Sequence, residues 1–483
     1  MQKTEENSIV VTALGAFVLH FVVAQLNPTL LWPDEIFQTI EQGHRMVFGY
    51  GVVPWEFRDG VRSWVLPGLL GLVMRLTAPL GPGSQGYLLG LRLFLALCAL
   101  TPVMVAMLWA RRLKLPHPYV AGIATAVWFE LVFFSSKALT EVFAAYALTA
   151  ALYFSVASRE EEQPSRAGLW AGLAWGFAVG FRMHLAPAAA VGLVWACRKD
   201  LSRWRQHLPG FVGVLLFFGL VDWATWSYPF QSFVSNFWVN VMKGKAATFG
   251  VSPPWEYLRT LGVVWSWAAV PVLALAAFSF RRWPVLGWTA LVIFLAHTAI
   301  SHKEYRFLVP FVAVVIVAAS LELNRRLAEK RDVGLALCAV WLVASADGAR
   351  RYDYTTVPPY PPKGAAPVSM WKVRHAEVKA FRLLSVTDDV CGVAGGGLGW
   401  GGMGGYATLH KDVPMFDLRN KPEVEQYRAS YNYVVSLVDN AGAFGPEFSQ
   451  VQCWGETCLF RREGGCETPG DYTINKWLAA TGM

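Results

Sequence analysis

Apolar residues recur in long blocks from the N-terminus to about position 346, and each block is closed by a short polar stretch. Residues 9–31 contain no Asp, Glu, Lys or Arg. Blocks at about 9–26, 87–109, 119–134, 140–157, 167–181, 185–196, 209–223, 260–278, 285–300, 307–321 and 333–346 read as eleven membrane helices, because such runs approach the length that crosses a bilayer. A twelfth apolar piece, 61–80, is flanked by Arg62 and Arg75 and interrupted by Pro67 and Pro79. It either spans or lies in the interface. If it does not cross, Arg111, Arg112 and Lys114, then Arg198, Lys199, Arg203 and Arg205, then Arg281 and Arg282, and finally Arg325, Arg326, Lys330 and Arg331 all fall on one side. That side is cytoplasmic by the positive-inside rule. The pattern gives an all-α polytopic region, residues 1–346, with a first external loop at 27–86.

After about residue 347 the pattern changes to polar, mixed sequence, which reads as an external soluble domain, 347–483, of α/β or mixed class. Cys391, Cys453, Cys458 and Cys466 fall there; Cys98, Cys197 and Cys338 lie in or beside apolar blocks. Four cysteines confined to an external domain imply up to two disulfides and an oxidising compartment, with three pairings open. A zinc site is the rival reading, but Cys453 and Cys458 lack the usual knuckle spacing. The glycine run at 392–405 lacks the frame of a phosphate-binding loop and reads as a flexible or tightly turning surface segment.

Composition supports this picture. Charged residues are 16% and hydrophobic residues 54% of 483, and there are 22 Trp, a membrane balance with aromatic anchors. The net charge of +8 sits in alternate loops and forms no nucleic-acid stripe.

On the external side five loops collect ionisable residues. The first loop carries Asp34, Glu35, Gln38, Glu41, His44, Arg45, Glu56, Arg58 and Arg62; later loops add Lys137 and Glu141, then Arg182, then Lys243, and finally the group His302, Lys303, Glu304 and Arg306. Asp34 stands where the first apolar helix ends, and carboxylates at that depth are either wetted caps or sites. A lone Arg182 is as readily a snorkelling residue. Lys303 and Arg306, three apart, would share a face of a helical turn. Carboxylates beside cations at a lipid boundary suit reaction on a phosphate-linked lipid: Arg and Lys hold the phosphate, and an aspartate takes a proton from an acceptor hydroxyl. No nucleotide motif is present, so no cofactor and no metal is expected. Composition alone leaves a transporter or flippase of a lipid-linked substrate as the alternative.

The stretch "WPDEIFQ" from Trp32, the "HRMVFGYG" and "WEF" that follow, "HKEYRF" at 302–307, and the loop at 236–257 ending in a Pro-Trp pair occur in one order. Together they resemble the family 22 glycosyltransferases, the α-mannosyltransferases of lipid-linked glycan and glycosylphosphatidylinositol assembly. That resemblance implies a GT-C fold and an inverting transfer of a hexose, mannose first, from a polyprenyl-phosphate donor to a glycan or glycolipid acceptor. It implies Asp34 as catalytic base with Glu35 beside it, and His302, Lys303 and Arg306 as contacts to the donor phosphate or the acceptor; Gln38, His44, Arg45, Glu56, Arg58, Arg62, Arg182, Lys243 and Glu304 are further candidate donor or acceptor contacts. Trp32 stands where the family commonly has His. The cysteine-bearing domain suggests a bacterial member in the plasma membrane with its site facing the periplasm; the other placement is the endoplasmic reticulum membrane with a luminal site.

Overall fold

The computed structural model describes residues 2–161, 166–361, 364–418 and 421–483. The chain forms two compact units. One comprises Met1–Ala24 and Leu95–Ser369, the other Gln25–Phe94 and Met370–Met483. This cut differs from a division at residue 346, because Gln25–Phe94 shares a unit with the C-terminal residues.

The first unit is helical. Among the described residues seven helices are long and apolar enough to cross a membrane: Glu5–Leu26, Gln85–Arg112, Thr140–Glu160, Leu201–Thr225, Glu256–Arg282, Tyr305–Glu329 and Arg331–Arg351. The expected eleven is thereby corrected. Arg166–Phe181, Ala186–Cys197 and Pro284–Thr298 form as helices but are shorter than a full span. The block at 119–134 is broken: Tyr119–Ala126 and Phe129–Phe134 are separate helices, with Trp128 extended between them. The helix Val309–Glu329 is the hub, with 15 of its 21 residues buried, and it packs against 100–112, 140–160, 269–282 and 331–351. Arg166–Phe181 carries Gly168, Gly172, Gly176 and Gly180 one turn apart. A Cβ at Gly172 would lie 1.9 Å from the His207 carbonyl oxygen, so the small residues let the backbones of this helix and Leu201–Thr225 touch.

In the second unit the apolar piece of the first loop forms the helix Val65–Thr77. At 1.5 Å per residue it is about 20 Å long, short of the ~30 Å hydrocarbon core. It crosses the helix Glu41–Phe48 at Gly43 and Gly71. The C-terminal residues build a five-stranded sheet from β1 (Val393–Gly396), β2 (Met415–Leu418), β3 (Tyr433–Leu437), β4 (Ser449–Trp454) and β5 (Thr457–Arg461), in the order β2-β1-β3-β5-β4. β1 runs parallel to β2 and β3, while β5 is antiparallel to β3 and β4. Successive side chains alternate between two buried faces. Val393, Val435 and Leu459 share one core with Phe381, Met403 and Leu478, and with Phe37 and Val52 of the first loop. Ala394, Val434 and Phe460 point into the other, with Phe416 and Phe444. The sheet therefore borrows apolar side chains from residues more than three hundred positions earlier, which makes loop and domain one body.

The four cysteines of the C-terminal residues are paired as Cys391–Cys466 and Cys453–Cys458. The second bridge joins cross-strand partners of the β4–β5 hairpin. The glycine run is not a loose surface segment. It begins as β1, and residues 401–409 are buried. Gly405 is left-handed (φ +67°), and a Cβ there would lie 2.5 Å from Glu41 Oε2.

Candidate active site

The second unit holds the carboxylates of the first loop. Pro33 opens the turn: its carbonyl accepts from Ile36 N (3.1 Å) and Phe37 N (2.8 Å). Ile36–Ile40 is a π-helical turn closed by Glu41 N to Ile36 O, a widening often found at functional sites. Asp34 is half-buried. Four residues on, Gln38 shares its face and donates through Nε2 both to Asp34 Oδ1 and to Glu56 Oε1, the latter at 2.8 Å. Glu56 is buried on the short helix Trp55–Arg58. Burial and the Asp34 charge push its carboxyl up to about 7, against the pull of Arg62. The result is a chain of two carboxylates bridged by one amide, open to solvent at the Asp34 end.

Other expected residues of this loop are seated differently. Glu35 is buried and its Oε1 accepts from Leu31 N at 2.9 Å, a local backbone contact. His44 is fully buried between Tyr50 O (3.1 Å) and His410 Nδ1 (3.0 Å), and burial drives its ring down to about 3. Arg45 donates to Gln42 Oε1 and lies over the Trp64 ring. Arg58 donates to Met483 O. Arg62 faces Glu56. Glu41 is the anchor of the unit. Its Oε1 accepts from Val52 N (2.7 Å) and Tyr406 N (3.1 Å), and its Oε2 from Ala407 N (2.7 Å). Burial raises it to about 7 against those three amides and Arg45.

The first unit holds the later cations. Arg306 Nε and Nη2 lie 2.8 and 2.9 Å from the two oxygens of Glu304. Its Nη1 is 3.3 Å from Glu141 Oε1, which is also 3.4 Å from Arg182 Nη2. His302 Nε2 completes the group at 3.0 Å from Glu304 Oε1. Burial raises the Glu304 carboxyl, but the Arg306 guanidinium and His302 outweigh it and hold it well below the usual range. Two guanidinium groups thus converge on one buried carboxylate at the first turn of Thr140–Glu160. Lys303 is not part of this group. Its ammonium donates to Thr298 O and Ile300 O, the carbonyls at the end of the preceding helix, as lysines do at helix C-termini. Residues 302–304 are not helical, and Glu304 is extended (φ -129°, ψ 146°), which removes the helical face that 303 and 306 would share. Lys243 is exposed.

Glu130 is a residue that the sequence reading passed over. It is fully buried, accepts from Trp128 Nε1 (2.8 Å) and Trp265 Nε1 (2.7 Å), and also takes the Tyr305 hydroxyl. Tyr305 lies between Glu304 and Arg306 and is held from its other side by Tyr305 N to Pro358 O, 2.9 Å. The signal was a single carboxylate inside an apolar run, which marks a functional or packing role.

The sequence profile of the Alg9-like mannosyltransferases matches residues 11–356. The chain belongs to the Alg9-like mannosyltransferase family. Family relatives include GPI mannosyltransferase 3 of Yarrowia lipolytica, 26% identical over 62% of this chain and 59% of that protein. GPI alpha-1,2-mannosyltransferase 3 of Xenopus laevis is 24% identical over 65% and 59%, and that of Bos taurus 25% over 62% and 56%. The chain thus spans under two thirds of the length of these relatives. They are eukaryotic, which corrects the expected bacterial membership and, with it, the expected bacterial plasma membrane. The crystal structure of ArnT from Cupriavidus metallidurans bound to undecaprenyl phosphate shares the fold, with a TM-score of 0.59 at 14% identity over 94% of this chain and 97% of that one. The membrane region therefore has the GT-C-like architecture, followed by a strand-containing C-terminal part.

Proposed function

We propose that this chain is an inverting mannosyltransferase that uses a polyprenyl-phosphate mannose donor and a glycolipid acceptor on the extracytoplasmic face. The observation that carries the reading is the Asp34–Gln38–Glu56 chain, which holds a solvent-reaching carboxylate in one orientation within the WPDE stretch. Family membership and relatives named as GPI mannosyltransferases support mannose and a glycolipid glycan. The eukaryotic relatives and the two disulfides support the endoplasmic reticulum membrane with a luminal site.

In this scheme Asp34 takes the proton of an acceptor hydroxyl as that oxygen attacks the anomeric carbon. The bond from that carbon to the phosphate oxygen breaks, and polyprenyl phosphate leaves with the electron pair. A β-phosphate donor gives an α-linked product. Arg306 and Arg182 neutralise the phosphate charge as it develops, with Glu141 and Glu304 fixing their orientation. Glu35, His44, Arg45, Arg58 and Lys303 build the surrounding structure.

The test is transfer of mannose from a synthetic polyprenyl-phosphate donor by detergent-purified protein. Asp34→Asn is expected to lose about 10²–10⁴ in rate with its melting temperature unchanged. Transfer undiminished in Asp34→Asn would remove the assignment. Absence of transfer by the wild type, with movement of the lipid across vesicles, would favour a flippase.

A further inference from the structure

The family match ends at residue 356, yet residues beyond it pack on the turn that carries Asp34. A Cβ at Gly401 would lie 2.7 Å from Pro33 Cγ, so the glycine run reaches the residue preceding Asp34 with backbone alone. The Trp400 ring lies 4.6 Å from the Phe37 ring at 56°, and Phe37 follows Asp34 by three positions, one helical turn. Trp400 is fixed at its backbone. Its N–H donates to Asp417 Oδ2 (3.0 Å), Gly402 N closes the turn to Gly399 O (2.8 Å), and Arg374 Nη1 holds Gly401 O (2.9 Å). Arg374 is itself in the left-handed region (φ 52°), and its guanidinium lies against Gly402. Pro33, Asp34, Arg374, Leu398, Gly399 and Trp400 are all only partly buried.

We infer that Trp400 and Arg374 form a carbohydrate subsite next to Asp34 that takes a hexose ring of the acceptor. The inference rests on the reading of Asp34 as the base for that acceptor. A pyranose presents a face of C–H groups and an edge of hydroxyls. An indole held rigidly, with part of its surface open, stacks on the first, and a guanidinium donates to the second. Aromatic walls with a few fixed polar groups are the usual composition of such sites. Trp400 thereby sets which sugar can present its hydroxyl to Asp34, and the C-terminal part of the chain becomes a determinant of acceptor choice.

The experiment uses the full chain in detergent, with two probes: an α-mannosyl disaccharide on an alkyl aglycone, and the free disaccharide. Acceptor and donor KM are measured for Trp400→Leu, which keeps an apolar contact to Phe37 but no π face, and for Trp400→Phe. Saturation-transfer NMR reads glycan binding independently of turnover. Trp400→Leu is expected to raise acceptor KM about tenfold, leave donor KM unchanged and abolish the saturation transfer to both probes; Trp400→Phe is expected to retain most of each. Unchanged acceptor KM and unchanged saturation transfer in Trp400→Leu would overturn the subsite. So would loss with the alkyl glycoside alone, which would assign the surface to the lipid part. Asp34→Asn separates the two readings: binding that still depends on Trp400 while Asp34→Asn turns over normally keeps the subsite and removes the base.

Discussion

Glu41 Oε2 sits where a side chain on Gly405 would begin, 2.5 Å from the position of its Cβ. The same carboxylate receives the next two amides, Tyr406 N and Ala407 N. Gly405→Ala therefore meets both a left-handed backbone, costing about 1–2 kcal/mol, and an overpacked contact costing about 1–3 kcal/mol. The variant is expected to melt several degrees lower, and the loss should be smaller in Gly442→Ala, where nothing lies within 4 Å. Differential scanning fluorimetry of the two proteins side by side decides it.

Glu56 and Glu41 give opposite pH trends for rate and for stability. Both carboxyls are lifted from 4.5 to about 7, by burial first and, in Glu56, by the charge of Asp34. A carboxyl raised on folding binds protons more tightly in the folded state. The fold is then most favoured below about pH 4.5, and the cost is fully present above about 7. Melting temperature should thus fall between about pH 4.5 and 7. Transfer should rise over the same window, because ionised Glu56 holds Gln38 by a charge-assisted bond that neutral Glu56 lacks. Glu56→Gln is expected to flatten the rate inflection near pH 7, and a profile identical to wild type would refute its part in the chain.

Arg306 and Lys303 should separate cleanly. Arg306→Ala removes a guanidinium shared by Glu304 and Glu141, and is expected to lower turnover and raise donor KM at least tenfold. Lys303→Met removes the cap on Thr298 O and Ile300 O and the ammonium over the Tyr257 ring, so it is expected to lower melting temperature with donor KM unchanged. A donor KM that rises equally in both would place Lys303 with the phosphate after all.

The hydroxyl of Tyr305 on Glu130 fixes the segment that carries Glu304 and Arg306. Hydrogen bonds to a charged group contribute about 1.5–3 kcal/mol. Tyr305→Phe and Glu130→Gln should each destabilise by about that amount, and the double variant by clearly less than their sum. Strict additivity in a thermal-unfolding cycle would show that the two residues do not act as a pair.

The long apolar helices were legible because span length and hydropathy are local quantities. The break at Trp128 was not. The run from 119 to 134 has no proline, and its one glycine, Gly122, lies inside the first helix; the break accompanies indole and phenol hydrogen bonds to Glu130 from Trp265 and Tyr305, far along the chain. Asp34 and Arg306 could be picked out as candidates by motif and position, whereas the seating of Lys303 depends on the non-helical backbone at 302–304. Glycine composition suggested turns at 392–405. What demands glycine at 401 and 405 is instead close approach to Pro33 and Glu41, which no local pattern records. The two disulfides were expected as a set, but their pairing needed the strand order.

The assembly of the second unit from Gln25–Phe94 and Met370–Met483 has a biosynthetic consequence. The Asp34 turn leaves the ribosome early, but Phe37 and Val52 have no core to enter until the whole of Leu95–Ser369 has been made and inserted. At about 5–20 residues per second, that wait is on the order of tens of seconds, and oxidation to Cys391–Cys466 can only follow it. Chains that stop near residue 356 would retain every family motif and still present an unfinished first loop, so quality control of this protein is expected to monitor its last hundred residues more stringently than its spans.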